Sequence, residues 1–294
     1  MIKEVKSQKS FLGNNKFGLI VRTFSDSEGV QKRVGLVKDL VEKALKIKAE
    51  GGNVFSRIDI LVWADPGFKE SDCGQTAEAL KKVVLSKNVF IHNVEQGDLF
   101  CSLLNQGVSI QTKKGIDYST IISPEAIDYF NSETVGEMIK AVRKGSLATG
   151  VAINELTDSV IEGRLANTFA MWKNEALQTV GGFDFLAAKP RDDKSAFCLK
   201  SWSEDNGFTS YPLAGVEEVI PLARMIELYG PCIAPVCPCG KGVKKYKVSE
   251  GQQKRQETKM ISKTERQEAL LDKTGFKLSF LKGGVMKEYQ QISI

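Results

Sequence analysis

Apolar and polar positions along this chain switch between two spacings, and each switch marks an element. A short apolar run within Lys16 to Thr23 (Phe17-Gly18-Leu19-Ile20-Val21) ends in the polar turn Ser25-Asp26-Ser27-Glu28-Gly29 and predicts a buried first strand. Val30, Val34, Val37, Val41 and Leu45 then return every three or four residues, one helix face, until Gly51-Gly52 ends it. Ile58 to Trp63 predicts a second strand closed by Ala64-Asp65-Pro66-Gly67, and Gln75 to Ser86 a second helix. Asn88 to His92 predicts a third strand, followed by a helix from Glu95 to Asn105 that Gly107 stops. Strand and helix in alternation predict an α/β fold, a mostly parallel sheet covered on both faces. Ligands of such sheets sit beyond the carboxyl ends of the strands, so Thr23, Asp26 and Asp65 are the first candidates for contact.

The second half is less regular. Ser123-Pro124 reads as a helix start, with Ser as N-cap and Pro at the first helical position. A helix from Glu133 to Lys144, a strand from Leu147 to Ile153 and a strand from Asn167 to Trp172 follow. The last runs into a helix, Asn174 to Val180, closed by Gly181-Gly182-Phe183-Asp184. Residues 185 to 212 have little periodicity and read as a long functional loop carrying Trp202. Glu217-Glu218 then opens a segment whose Val219, Leu222, Ile226 and Tyr229 recur at helical intervals. An acidic pair there is either a first turn that suits the helix dipole or a catalytic base at the mouth of the sheet. Cys232 to Val236 reads as an edge strand.

Composition narrows the chemistry. A hydrophobic content of 42% with 26% charged residues is that of a soluble globular protein. No apolar run reaches the roughly 18 residues of a membrane helix, and the first residues lack a signal-peptide core, so a cytoplasmic protein is expected. Six cysteines without paired spacing read as reduced thiols. Cys232, Cys237 and Cys239, with Cys198, do not have zinc-ribbon spacing. The single histidine, His92, excludes metal sites built on several histidines and leaves carboxylates, backbone amides and a hard cation to do any catalytic work.

The net charge of +5 belongs to the tail: from Lys241 onward 13 Lys and Arg face 6 Asp and Glu, while the preceding 240 residues hold 28 against 30. The tail lacks interleaved aromatics and any nucleic-acid motif. A solvated arm or an oligomer contact, the latter through a helical arm around Glu257 to Asp272, is the expectation, with an anionic membrane surface as the other candidate partner.

Several of these fragments stand in a familiar order. Ile60 to Asp65 with Ser71-Asp72 and Gly74, the set Asn93, Gly97, Asn105 and Gly107, and the stretch from Asn167 to Asp184 with its Gly181-Gly182-Phe183-Asp184 ending resemble the family 2 glycosyltransferases of GT-A fold. The resemblance covers about residues 16 to 240, after a lead-in of residues 1 to 15 and before a basic extension of residues 241 to 294. It implies transfer of a sugar from a nucleotide diphosphate donor to an acceptor hydroxyl, with inversion. Thr23, Asp26, Asp65 and Gly97 would then contact the donor. Asp117 takes the place of the metal-binding D-x-D motif, here Asp117-Tyr118-Ser119 with a hydroxyl for the second carboxylate, and implies Mg2+ or Mn2+ on Asp117 and Ser119. Glu217-Glu218 takes the place of the catalytic acidic pair, because Arg224 follows Glu218 by six residues, and Glu218 would be the general base. Asp184, Arg224 and Trp202 complete the implied acceptor side. Two other readings are a degenerate nucleotide-sugar binding protein and a sugar nucleotidyltransferase, the second needing a basic, Gly-rich loop after the first strand.

Overall fold

A computed structural model describes residues 15–24, 29–49, 52–63, 74–94, 101–151, 165, 169–183 and 217–236, and toward the C-terminus 271, 275–276, 281 and 283–289. Its strands are β1 (Phe17–Phe24), β2 (Lys48–Ala49), β3 (Gly52–Asn53), β4 (Phe55–Trp63), β5 (Val89–Val94), β6 (Tyr118–Ile122), β7 (Ala148–Val151), β8 (Phe169–Lys173) and β9 (Ile233–Val236). Its helices are α1 (Val30–Lys46), α2 (Gln75–Val83), α3 (Cys101–Lys113), α4 (Ser132–Arg143), α5 (Asn174–Thr179) and α6 (Val219–Tyr229).

Seven strands form one sheet in the order β5-β4-β1-β6-β8-β7-β9, and β2 with β3 forms a small separate hairpin. Within the seven-stranded sheet β8 alone runs against its neighbours β6 and β7; the other pairings there are parallel. Parallel strands need a crossover on one face or the other, and the helices supply it on both. One core gathers Ile20, Leu61, Ile121 and Trp172 of the sheet with α3, α5 and α6. The other gathers Leu19, Val21, Ile60 and Met171 with α1, α2 and α4. Successive residues of β1 thus enter opposite cores, which is why its sequence is a continuous apolar run and not an alternation.

The expected α/β architecture is the observed one, with local differences. The third helix begins at Cys101 and continues through Gly107 to Lys113. Gly107 does not end it: a Cβ there would lie 2.6 Å from Leu61 Cδ1 and 3.1 Å from Ile20, so this glycine lets α3 approach the sheet. Ser123-Pro124 opens only a 3-10 turn, Pro124–Ala126, and the Ser123 hydroxyl goes to Glu125 and caps nothing.

The extension after residue 240 is not a separate arm where it is described. Leu271 and Leu281 are buried in the α3–α6 core. Gly284 O accepts the N–H groups of Cys232 (2.9 Å) and Ile233 (3.0 Å), and Val285 bridges Ile233 in parallel, beside β9. These residues pack into the chain's own core and beside β9, so this part of the tail is not a solvated arm. The expected helix around Glu257 to Asp272 lies, apart from Leu271, outside the described residues, as do residues 1–14.

Candidate functional site

The carboxyl ends of β1, β4, β5, β6, β7 and β9 share one edge of the sheet. Thr23 and Ser123 stand there, at the ends of β1 and β6, whose register pairs Val21 with Ile122. Thr23 is buried on the α1 side, and its hydroxyl has no hydrogen-bond partner among the described residues. Beside it, Arg33 of α1 pairs with Glu125, which also accepts from the Ser123 hydroxyl. Burial pushes the Glu125 carboxyl up, but the bonds from Ser123 and Arg33 outweigh it and hold the group below the usual carboxylate range. The first turn of α1 carries no acid and holds Lys32 and Arg33.

Glu217 and Glu218 reach the same edge from the other face. α6 runs from Val219 to Tyr229, with Glu218 as its N-cap and Gly230 as its C-cap, and is followed by β9, whose first residue pairs with the first residue of β7. Eleven helical residues, about 16 Å at 1.5 Å per residue, therefore return the chain from the mouth to the opposite edge. Both glutamates are buried, Glu218 fully. Arg224, six residues beyond Glu218, donates from Nη1 to Val180 O at 3.0 Å, so it binds α6 to the end of α5. Its described bond is to backbone, not toward an acceptor.

Asp117 does not join this edge. It precedes β6, at the level of Phe17, and its carboxylate accepts from Lys16 N–H at 2.7 Å while its carbonyl accepts from Asn174 N–H at 2.9 Å. Six residues separate it from Ser123, about 20 Å of extended chain at 3.3 Å per residue. Ser119 is fully buried under α3 and donates to Gln111 Oε1 at 2.7 Å. Neither residue fits a divalent cation beside a nucleotide at the mouth, which corrects their assignment as a metal pair. Among the described residues no three Asp, Glu, His or Cys side chains gather to hold a metal. The expected convergence of Asp117 and Glu218 in one cleft is overturned: β6 carries one to the amino edge and α6 begins with the other at the carboxyl edge. Asp26, Asp65, Gly97, Asp184 and Trp202 lie outside the described residues.

A buried polar cluster that the sequence reading missed lies under α3. Asp59 of β4 is fully buried and accepts from Arg57 (Nη2, 2.7 Å; Nε, 2.8 Å), His92 Nε2 (2.8 Å) and Gln111 Nε2 (3.0 Å). Gln111 also donates to Leu19 O at 3.0 Å, and a Cβ at Gly18 would collide with its amide. Burial pushes the Asp59 carboxyl up, yet the bonds from His92, Arg57 and Gln111 and the Arg57 charge together hold it below its ordinary value. The signal was present: Asp59 interrupts the apolar run Ile58 to Trp63, and a charge in a buried strand needs a partner. His92 is thus a structural residue of this cluster. Cys232 is a buried free thiol whose pKa burial raises to about 12, and Cys198, Cys237 and Cys239 lie outside the described residues.

A mannosyltransferase from Pyrobaculum calidifontis, solved with GDP-Man and Mn2+, superposes with a TM-score of 0.52 over 92% of this chain and 67% of its own, at 11% identity. The fold is GT-A-like. A cytidylyltransferase from Leptospira borgpetersenii serovar Hardjo-bovis gives a TM-score of 0.45 at 11% identity, over 93% of this chain and 99% of its own. No family model matches the chain, and no curated protein matches it.

Proposed function

We propose that this GT-A-like chain is a glycosyltransferase of the family 2 type, using a nucleotide diphosphate sugar and inverting the anomeric carbon. The observation that carries the reading is the placement of Glu217-Glu218 at the start of α6, on the edge of the sheet where β1 and β6 end in Thr23 and Ser123. In this reading Glu218 takes the proton of an acceptor hydroxyl as its oxygen bonds to the anomeric carbon. The bond from that carbon to the β-phosphate oxygen breaks on the opposite face, and the nucleoside diphosphate leaves. The positive end of α1, with Lys32 and Arg33 in its first turn, meets the phosphate charge. Arg33 also fixes Glu125 at the rim. No step is assigned to a metal, because Asp117 and Ser119 do not fit one.

A second reading, nucleotidyl transfer from a nucleoside triphosphate to a sugar phosphate, has one observation in its favour: the same basic first turn of α1 suits a triphosphate. One experiment separates the two. The chain is incubated with a panel of nucleotide sugars and, separately, nucleoside triphosphates with sugar phosphates, each with Mn2+ and with EDTA. Release of nucleoside diphosphate supports the first reading and release of pyrophosphate the second. Glu218→Gln should lower transfer about 10²- to 10⁴-fold while donor binding persists. Wild-type turnover in that variant removes Glu218 from the role.

A further inference from the structure

The edge of the sheet opposite the candidate site has a composition that the proposed chemistry does not use. Nearly every strand meets this edge beside a cation. Lys87 precedes β5, Lys48 lies in the hairpin before β4, Lys16 precedes β1, Lys114 precedes β6, Lys144 precedes β7, and Lys287 follows the segment beside β9. All six are exposed. Among the described residues the exposed acids on this edge are fewer: Asp117, Glu175, Glu227 and Glu288. Lysine in the last turn of a helix complements the dipole, as Lys46 and Lys113 do. That reason does not reach Lys16 and Lys87, which precede strands, or Lys48, which opens β2.

Exposed apolar side chains gather on the same edge. Among the described residues the large ones are Val83, Leu85, Phe90, Leu228 and Tyr229. Val83 and Leu85 lie between α2 and the start of β5, and Phe90 is the second residue of β5. Leu228 and Tyr229 end α6 just before β9. Leu85 is 83% exposed, Leu228 58% and Tyr229 47%. Two apolar prominences therefore stand at the two ends of a seven-strand edge, about 29 Å apart at 4.8 Å per strand, with lysines between them.

From this arrangement we infer that the amino edge of the sheet docks on an anionic lipid surface. Lysines there are drawn to the negative headgroups, and Leu85, Leu228 and Tyr229 enter the boundary between headgroup and acyl chain. Charge complementarity chooses this occupant over a second copy of the chain, which would set lysines against lysines. Docking this way turns the edge bearing Glu125, Glu217 and Glu218 away from the bilayer, toward water. No described helix is long and apolar enough to cross a membrane. The inference does not rest on which group the enzyme transfers.

The test is sedimentation of the full chain with vesicles of phosphatidylcholine alone and of phosphatidylcholine with about one-third phosphatidylglycerol, at low and raised salt. Binding is expected only to the anionic vesicles, and weaker at raised salt. Lys16→Glu/Lys114→Glu/Lys144→Glu and, separately, Leu85→Glu/Leu228→Glu should each weaken it by at least about tenfold, with circular dichroism unchanged. No sedimentation with anionic vesicles at low salt overturns the inference. Binding that both variants retain also overturns it, by moving the contact to the basic tail.

Discussion

Asn105 of α3 and Phe183, 78 residues apart, are joined through both polar groups of one peptide residue: Phe183 N–H donates to Asn105 Oδ1 at 2.8 Å, and Asn105 Nδ2 donates to Phe183 O at 3.0 Å. Gly182 makes the fit. It has φ +75°, and a Cβ on it would sit 2.5 Å from Asn105 Oδ1. Phe183 then stacks edge-on against Trp172, with ring centroids 5.2 Å apart. The turn after α5 is thereby clamped to α3, and Arg224 ties α6 to the same turn through Val180 O.

Asn105→Leu should therefore destabilise the chain by about 1–3 kcal/mol, because it strands two backbone groups of a half-buried turn. Gly182→Ala should cost at least as much, since it adds a left-handed alanine to the collision with Asn105. Urea unfolding of both variants measures this; stability like wild type in Asn105→Leu would show that the clamp contributes nothing.

Asp59 predicts a dependence on acid. Its folded pKa is depressed, so its contribution is complete above the unfolded value of about 3.9 and is lost as pH falls through the lower folded value. Asp59→Asn should thus lower stability at neutral pH and shrink the difference from wild type as acid is added. Arg57→Met at neutral pH leaves the carboxylate buried without its cation and should cost about 3–5 kcal/mol. Denaturant midpoints across pH 2 to about 7 read both.

Asp117→Ala tests the placement at the amino edge. It removes an exposed bond to Lys16 N–H, worth about 0.5–1.5 kcal/mol. Transfer activity and its response to Mn2+ should stay within about twofold of wild type, because the side chain is a strand's length from the mouth. A large loss of turnover, with normal stability, would return Asp117 to the chemistry.

Ending the chain at residue 280 should lower the thermal midpoint, since it removes the buried Leu281 and Val285 and uncovers the N–H groups of Cys232 and Ile233. Burial of two such side chains is worth about 3–6 kcal/mol. Scanning calorimetry measures the change, and an unshifted midpoint would mean that the last residues are dispensable to the fold.

Gly107→Ala should cost about 1–3 kcal/mol through overpacking of α3 on Leu61 and Ile20. A urea midpoint equal to that of wild type would show that the helix can lift from the sheet at no cost.

The amino-acid sequence by itself determined the class of fold, because apolar spacing is a local record of which face each residue buries. β1, α1, β4 and α6 were legible for that reason, and so was the acidic pair at the start of α6. Tertiary structure alone decided the rest. Whether Asp117 begins or ends a strand depends on where β6 enters the sheet, and pairing of Phe17 with Tyr118 settles it. Asn105, Gly107 and Gly182 stood out in sequence as members of a motif; only packing shows that they hold elements together. The partners of Asp59 come from β4, β5 and α3, and the basic, apolar edge draws on segments from many parts of the chain. Contacts between residues distant in sequence leave no periodic trace, so they could be read only once the sheet had brought them together.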